Sequence, residues 1–136
     1  MNVIIATGLR GELLFNSRRV SRDEYITDDI IRLTDGKLTV KNYSAKLFSR
    51  YPSVILSDEP LTTLSDGEWC FVEDTELSAL LPLTDVLVIY NFNRTYPEDV
   101  KFDTPPTKIG FRQVEVTEFA GHSHDKITRT IYKRQT

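Results

Sequence analysis

The sequence predicts an α/β protein: a mixed, mostly parallel sheet with a C-terminal antiparallel hairpin, flanked by two to three short helices. Three observations carry this. Short apolar runs rich in β-branched residues recur along the chain at Val3–Thr7, Ser53–Ser57 and Asp85–Phe92. Segments with helical spacing of apolar residues lie between them. The last part, residues 110–118 and 126–133, alternates apolar and polar residues around a polar loop, which suggests an antiparallel pair. Interleaved strands and helices imply parallel pairing, with the terminal pair at an antiparallel edge. The 136 residues match a single domain with one core, covering residues 1–136.

Asn2–Thr7 opens the chain as a buried strand, broken by Gly8 and Gly11. Leu13–Phe15 can pair locally before the polar loop 16–19. Ser21–Glu24 fits a capping box, in which the Ser21 hydroxyl and the Glu24 carboxylate each satisfy a backbone N–H of the other. Ile26, Ile30, Ile31 and Leu33 follow at helical spacing, and Gly36 stands where a left-handed residue ends a helix, giving a helix over about 22–34. Lys37–Lys41 alternates as a strand, and Asn42–Ser44 starts a short helix through Phe48. Ser53–Ser57 (SVILS) is the clearest candidate for a buried strand, and Glu68–Val72 for another. Asp74 can cap a helix through Leu77, Leu80 and Leu81, which Pro82 closes. Asp85–Phe92 reads as a central strand. Residues 96–107 are irregular and rich in proline, and the hairpin completes the chain.

Composition narrows the function. The chain carries 17 Lys+Arg against 20 Asp+Glu, a formal charge of −3. That balance gives no electrostatic footprint for nucleic acid or an anionic membrane. The single Cys70 excludes an internal disulfide framework and a multi-Cys zinc site. Apolar runs are too short to span a bilayer, and the N-terminus does not read as a signal peptide. A cytoplasmic protein, monomeric or weakly dimeric, is the expectation.

Several constellations have a bland reading that outweighs the sharp one. Gly121–Asp125 (GHSHD) resembles part of the His-x-His-x-Asp-His signature of metal-dependent nucleases, yet only two His exist and Asp125 comes one position early. A polar hairpin loop explains His122 and His124 more simply, and no metal site is expected. Cys70 sits within an apolar strand and reads as a packed thiol. Arg18, Arg19 and Arg22, and the basic residues of the tail, read as solvated faces.

The order of hydrophobic landmarks resembles the dihydrofolate reductase family over nearly the whole chain. Val3–Thr7 looks like its first strand. Ile30–Thr34 before Gly36–Lys37 is similar to the end of its first long helix. Val54–Ser57, Leu80–Pro82 with Val86–Tyr90, Tyr96–Phe102 and the closing hairpin with its Ile-Tyr-Lys-Arg run follow in matching order. The resemblance implies an NADP-binding loop with two adjacent glycines after a buried strand, where backbone N–H groups and a helix N-terminus meet a pyrophosphate. The matching positions here are Glu73 and Asp74, two carboxylates that repel phosphate, so NADPH is the implied cofactor and these residues stand against it.

The resemblance also implies a basic, threonine-containing turn after the second strand. Lys41–Ser44 stands there, so Thr7, Lys41 and Ser44 are the candidates for touching a cofactor. The proton donor falls at Tyr25 or Ile26, which leaves neighbouring Glu24 as the candidate general acid. The residue that grips the folate tail falls near Tyr51, with Arg50 beside it. Tyr25, Tyr43, Arg50, Tyr51 and Tyr90 are the candidates for lining a substrate cleft.

The resulting expectation is a dihydrofolate-reductase-like protein without reductase activity. It would bind a small planar ligand or a protein partner in the cleft beside the first helix. The alternatives are an NADPH-dependent reductase with a remodelled cofactor loop, and a metal-dependent nuclease using the GHSHD segment.

Overall fold

The continuous apolar run of the first strand already requires two covered faces, and the computed structural model, which describes residues Met1–Thr136, supplies them. Along β1 (Asn2–Thr7), Val3 and Ile5 enter one apolar cluster and Ile4 enters the other. β1 pairs in parallel with β6 (Trp69–Phe71) on one side and β7 (Val86–Asn91) on the other, with Asn2 opposite Val86 and Thr7 opposite Asn91. Outward from β6 come β4 (Leu38–Val40) and β5 (Ile55–Leu56), both parallel. Beyond β7 lie β10 (Ile127–Arg134) and then β9 (Phe111–Phe119), both antiparallel. The seven-stranded order is β5-β4-β6-β1-β7-β10-β9. The mostly parallel sheet with a terminal antiparallel hairpin is therefore the observed architecture.

Helix α1 (Glu24–Thr34) covers one face through Ile26 and Ile30, which pack with Val40, Phe48, Phe71 and Val88. It starts two residues later than the spacing suggests, because its cap is Asp23 rather than Ser21. The Asp23 carboxylate accepts from the Tyr25 N–H at 2.9 Å, and the Ser21 hydroxyl goes elsewhere. Its C-terminus follows the sequence: Gly36, at φ +73°, donates its N–H to the Ile31 carbonyl. A 3₁₀ helix, Asn42–Phe48, lies beside it. The other face is closed by the short α2 (Leu77–Leu80) and by Leu13 and Leu14 of β2 (Glu12–Phe15).

Two features depart from the sequence reading. Ser53–Ser57 is not a buried strand: only Ile55 and Leu56 pair, at the sheet edge, and they are 57% and 54% exposed. An apolar run signals burial only when something covers it, and β5 has a partner on one side alone. The polar segment 16–19 is not a simple loop. Asn16 and Ser17 both adopt positive φ, 51° and 63°, and turn the chain into β3 (Arg18–Arg19). Such a pair of left-handed residues matches the twist of a tight hairpin. With β8 (Val100–Lys101), these strands form a second, three-stranded sheet. No helix is long and apolar enough to cross a membrane.

Candidate functional site

Parallel strands end together, and ligands in open α/β sheets bind beyond their carboxyl ends. At the end of β6 stands Glu73, only 8% exposed. Its carboxylate accepts from Arg19 Nε at 2.7 Å and from a second guanidinium nitrogen at 3.0 Å, a forked pairing, and from the Ser44 hydroxyl at 2.8 Å. Arg19 is held over the Tyr43 ring, 4.8 Å from its centroid, and donates its backbone N–H to the Tyr43 hydroxyl. The Glu73 hydrogen bond raises the guanidinium pKa further, against the effect of its burial. Asp74 caps the following turn, accepting from the Glu76 N–H at 3.0 Å. Two of the predicted residues, Ser44 and Tyr43, thus belong to an internal ion-pair cluster around Glu73.

A second cluster joins α1 to the loop between β9 and β10. The Asp23 carboxylate has a fully buried side chain and accepts from the N–H groups of Tyr25, His122 and Ser123. Its Oδ2 also lies 2.8 Å from His124 Nδ1. Burial by itself would raise the Asp23 pKa. The His122 N–H, the His124 ring and the Ser123 and Tyr25 N–H groups override it and hold the carboxyl at about 2. His124 Nε2 is 2.9 Å from Ser21 Oγ and 3.2 Å from the Tyr96 hydroxyl, and its ring stacks on Phe92 at 4.9 Å. His122 points the other way, 3.8 Å from Glu24 and edge-on to Tyr25. Sequence reasoning missed the Asp23–His124 pairing. The signal available to it was an Asp at a helix start and a His-containing loop, 101 residues apart.

Between these clusters runs an open groove of about 420 Å³ lined by α1, residues 46–50 and residues 122–123. Arg22, Lys46, Arg50 and His122 face it, against Asp23 and Glu24. Arg50 donates to Asp28 at 2.9 Å, and the Tyr51 hydroxyl also bonds Asp28. Beneath the groove, and sharing Arg22, Asp23, Thr27 and Leu47 with it, is a cavity of about 20 Å³ that also touches Ser21, Arg19 and Glu73. That is room for one water, far below the roughly 300 Å³ at which small-molecule pockets begin.

The predicted residues do not converge on one place. Glu24 and Arg50 line the groove, Glu24 with a side chain 63% exposed. Thr7 is buried at the end of β1 and lines a separate hollow of about 460 Å³ with Asn91 and Thr128. Lys41 donates to the Asp58 and Glu59 carbonyls. Tyr25 is exposed on the side of α1 facing Asp29 and Phe119. Tyr90 is wholly buried and donates to Asp29 at 2.6 Å, and burial together with that carboxylate pushes its pKa up. Cys70 lies within the core, where burial pushes its thiol up to about 12. No group of three or more His, Cys, Asp or Glu side chains is placed to hold a metal ion.

No protein-family model matches the chain, and no curated protein matches it in sequence. Its structure is similar to the dihydrofolate reductase of Enterococcus faecalis, solved in complex with NADP(H) and RAB-propyl. The two superpose with a TM-score of 0.64 at 13% identity, over 100% of this chain and 97% of that one. The superposition therefore runs from end to end of that fold. At this identity the likeness concerns the backbone, and it shows that this chain has the dihydrofolate reductase fold.

Proposed function

We propose that this protein does not act as a reductase, and that it binds a small, planar, negatively charged ligand in the groove beside α1. The observation that carries this is Glu73. A pyrophosphate at the end of β6 would need cations and free N–H groups. Arg19 and Ser44, the groups suited to that task, are already taken by a carboxylate of the chain itself. The cavity next to them has room for one water-sized group, and the helix after Glu73 has only four residues, too short to bring a useful dipole. Glu24, the candidate acid, sits at the open rim of the groove, outside any enclosed pocket that would aim it at a substrate.

The groove has the opposite character. Arg22 and Lys46 face it with no carboxylate partner of their own. Arg50 is largely exposed and meets Asp28 through one guanidinium nitrogen only, which leaves the others free for an anion, and the exposed His122 ring suits a planar one. Titrating the protein into NADPH and following nicotinamide fluorescence is expected to give no saturable change; micromolar saturation overturns the non-reductase reading. A thermal-shift screen over folates, pterins, nucleotides and small aromatic carboxylates is expected to raise Tm for anionic members only. Arg50→Ala removes that rise. A rise that survives Arg50→Ala places the ligand elsewhere.

A further inference from the structure

We propose that Ser21, His124 and Asp23 form a nucleophile, base and orienting carboxylate for acyl transfer, acting on small carboxylic esters that carry a negative charge. The geometry is a continuous chain: Ser21 Oγ to His124 Nε2 at 2.9 Å, and His124 Nδ1 to Asp23 Oδ2 at 2.8 Å. Unrelated folds assemble this arrangement from different chain orders, so it is recognised by distances and roles. Asp23 accepts from three backbone N–H groups as well as the imidazole, which leaves it an acceptor only. Nδ1 therefore carries the ring proton, and Nε2 is a free acceptor for a hydroxyl proton. The ring plane is held by Phe92. Tyr96 is the second hydroxyl on Nε2, at 3.2 Å, and keeps the nitrogen solvated when Ser21 is acylated.

These contacts also fasten the 121–124 loop to α1, and fastening alone leaves one residue unexplained. Asp23 already accepts from two loop N–H groups and the His124 ring, so the loop is held without Ser21. The Ser21 hydroxyl adds nothing to that clasp beyond occupying the remaining ring nitrogen. Ser21 is only half-buried and lies beside Arg22 and Asp23, which the one-water cavity shares with the groove, so an ester carbonyl would reach Oγ from the groove side with the rest of the ester outside the cavity. Arg22 follows Ser21 directly and is the basic residue that lines both spaces.

The reaction balances without a co-reactant other than water. Ser21 Oγ attacks the ester carbonyl carbon as its proton passes to His124 Nε2. The Arg22 guanidinium is the cation at hand for the oxyanion. Collapse breaks the bond to the alkoxide, which takes the proton from the imidazolium and leaves as the alcohol. Water then attacks the acyl-Ser21 carbonyl, giving its proton to Nε2. The Ser21 Oγ–carbon bond breaks, Oγ recovers the proton, and the carboxylic acid departs. Asp23 is a positioning residue throughout.

The preference for a charged ester rests on the groove binding an anion; the nucleophile does not. A small fluorophosphonate probe incubated with the full chain is expected to give one adduct, on Ser21, by peptide mapping. Ser21→Ala removes only a hydroxyl, and it should retain the wild-type Tm while losing the adduct. Asp23→Asn, which no longer holds the proton on Nδ1, should slow the labelling by at least about 100-fold on protein that is still folded by circular dichroism. No adduct on the folded protein, or labelling unchanged in Ser21→Ala, overturns the assignment. Hydrolysis of mono-p-nitrophenyl succinate should exceed that of p-nitrophenyl acetate several-fold in kcat/KM, the worth of one exposed ion pair. Ser21→Ala should lower both by at least about 100-fold. Arg50→Ala should erase the preference for the succinate over the acetate. Labelling without a preference for the succinate overturns the substrate class and the anion groove, while leaving the nucleophile in place.

Discussion

Asp23 concentrates more of the molecule's polar chemistry than any other single residue. It caps α1, holds the β9–β10 loop and orients His124. The fold holds its pKa at about 2, against roughly 3.9 in an unfolded chain. A carboxylate depressed on folding stabilises the native state fully above its unfolded value, and that contribution is lost as pH falls toward the folded value. The linkage is on the order of 2 kcal/mol at neutral pH and fades between about pH 4 and pH 2. Asp23→Asn is expected to lower stability by about that amount at pH 7, since an amide cannot accept from every N–H now aimed at it. The gap from the wild type should close toward pH 2. Urea unfolding of both proteins across this range measures it, and a gap independent of pH would refute the account.

At the scale of elements, the informative contact is between β3 and the end of β6. Arg19 arrives by a two-residue hairpin, and Glu73 by the strand that precedes it in the main sheet. Removing one partner leaves the other charged and largely buried. Arg19→Met should cost about 3 kcal/mol by chemical denaturation, whereas Arg19→Met with Glu73→Leu should cost less than the single change. Additive losses would show that the pair is not coupled. The same contact explains what the sequence could and could not disclose. Glu73 and Asp74 are visible as carboxylates at the end of an apolar strand, and Gly36 as a helix stop, because both signals are local. Arg19 as the partner of Glu73 is not visible. It depends on Asn16 and Ser17 taking left-handed conformations that glycine would have advertised. The capping-box pattern at Ser21 misleads for the same reason: the local pattern fits, and the competing partner, His124, is 103 residues away.

Across the whole molecule, the central strands and their parallel character were legible because burial writes itself into β1, β6 and β7 as β-branched and aromatic runs, while their order comes from the pairing. The edges were not, because an apolar pair such as Ile55–Leu56 looks the same whether covered or exposed. That difference in cover makes a physical prediction. β1 lies between β6 and β7, and Val3, Ile4 and Ile5 are fully buried against both apolar clusters. Exposing its amides requires breaking two rows of hydrogen bonds and uncovering both faces of the sheet, which amounts to unfolding the domain. β5 has two residues and one partner, and β3 has two residues in a separate small sheet. Opening either costs little apolar burial. Native-state hydrogen exchange should therefore find the Ile4, Ile5 and Val88 amides exchanging only at the global unfolding free energy, with Leu56 and Arg18 exchanging through shallow local openings. The groove wall formed by α1 should fall between them, since Ile26 and Ile30 anchor one of its faces and solvent the other. If the β1 amides exchanged as fast as those of β5, the stability would not reside in the central sheet, and the two-faced core would have to be reassigned.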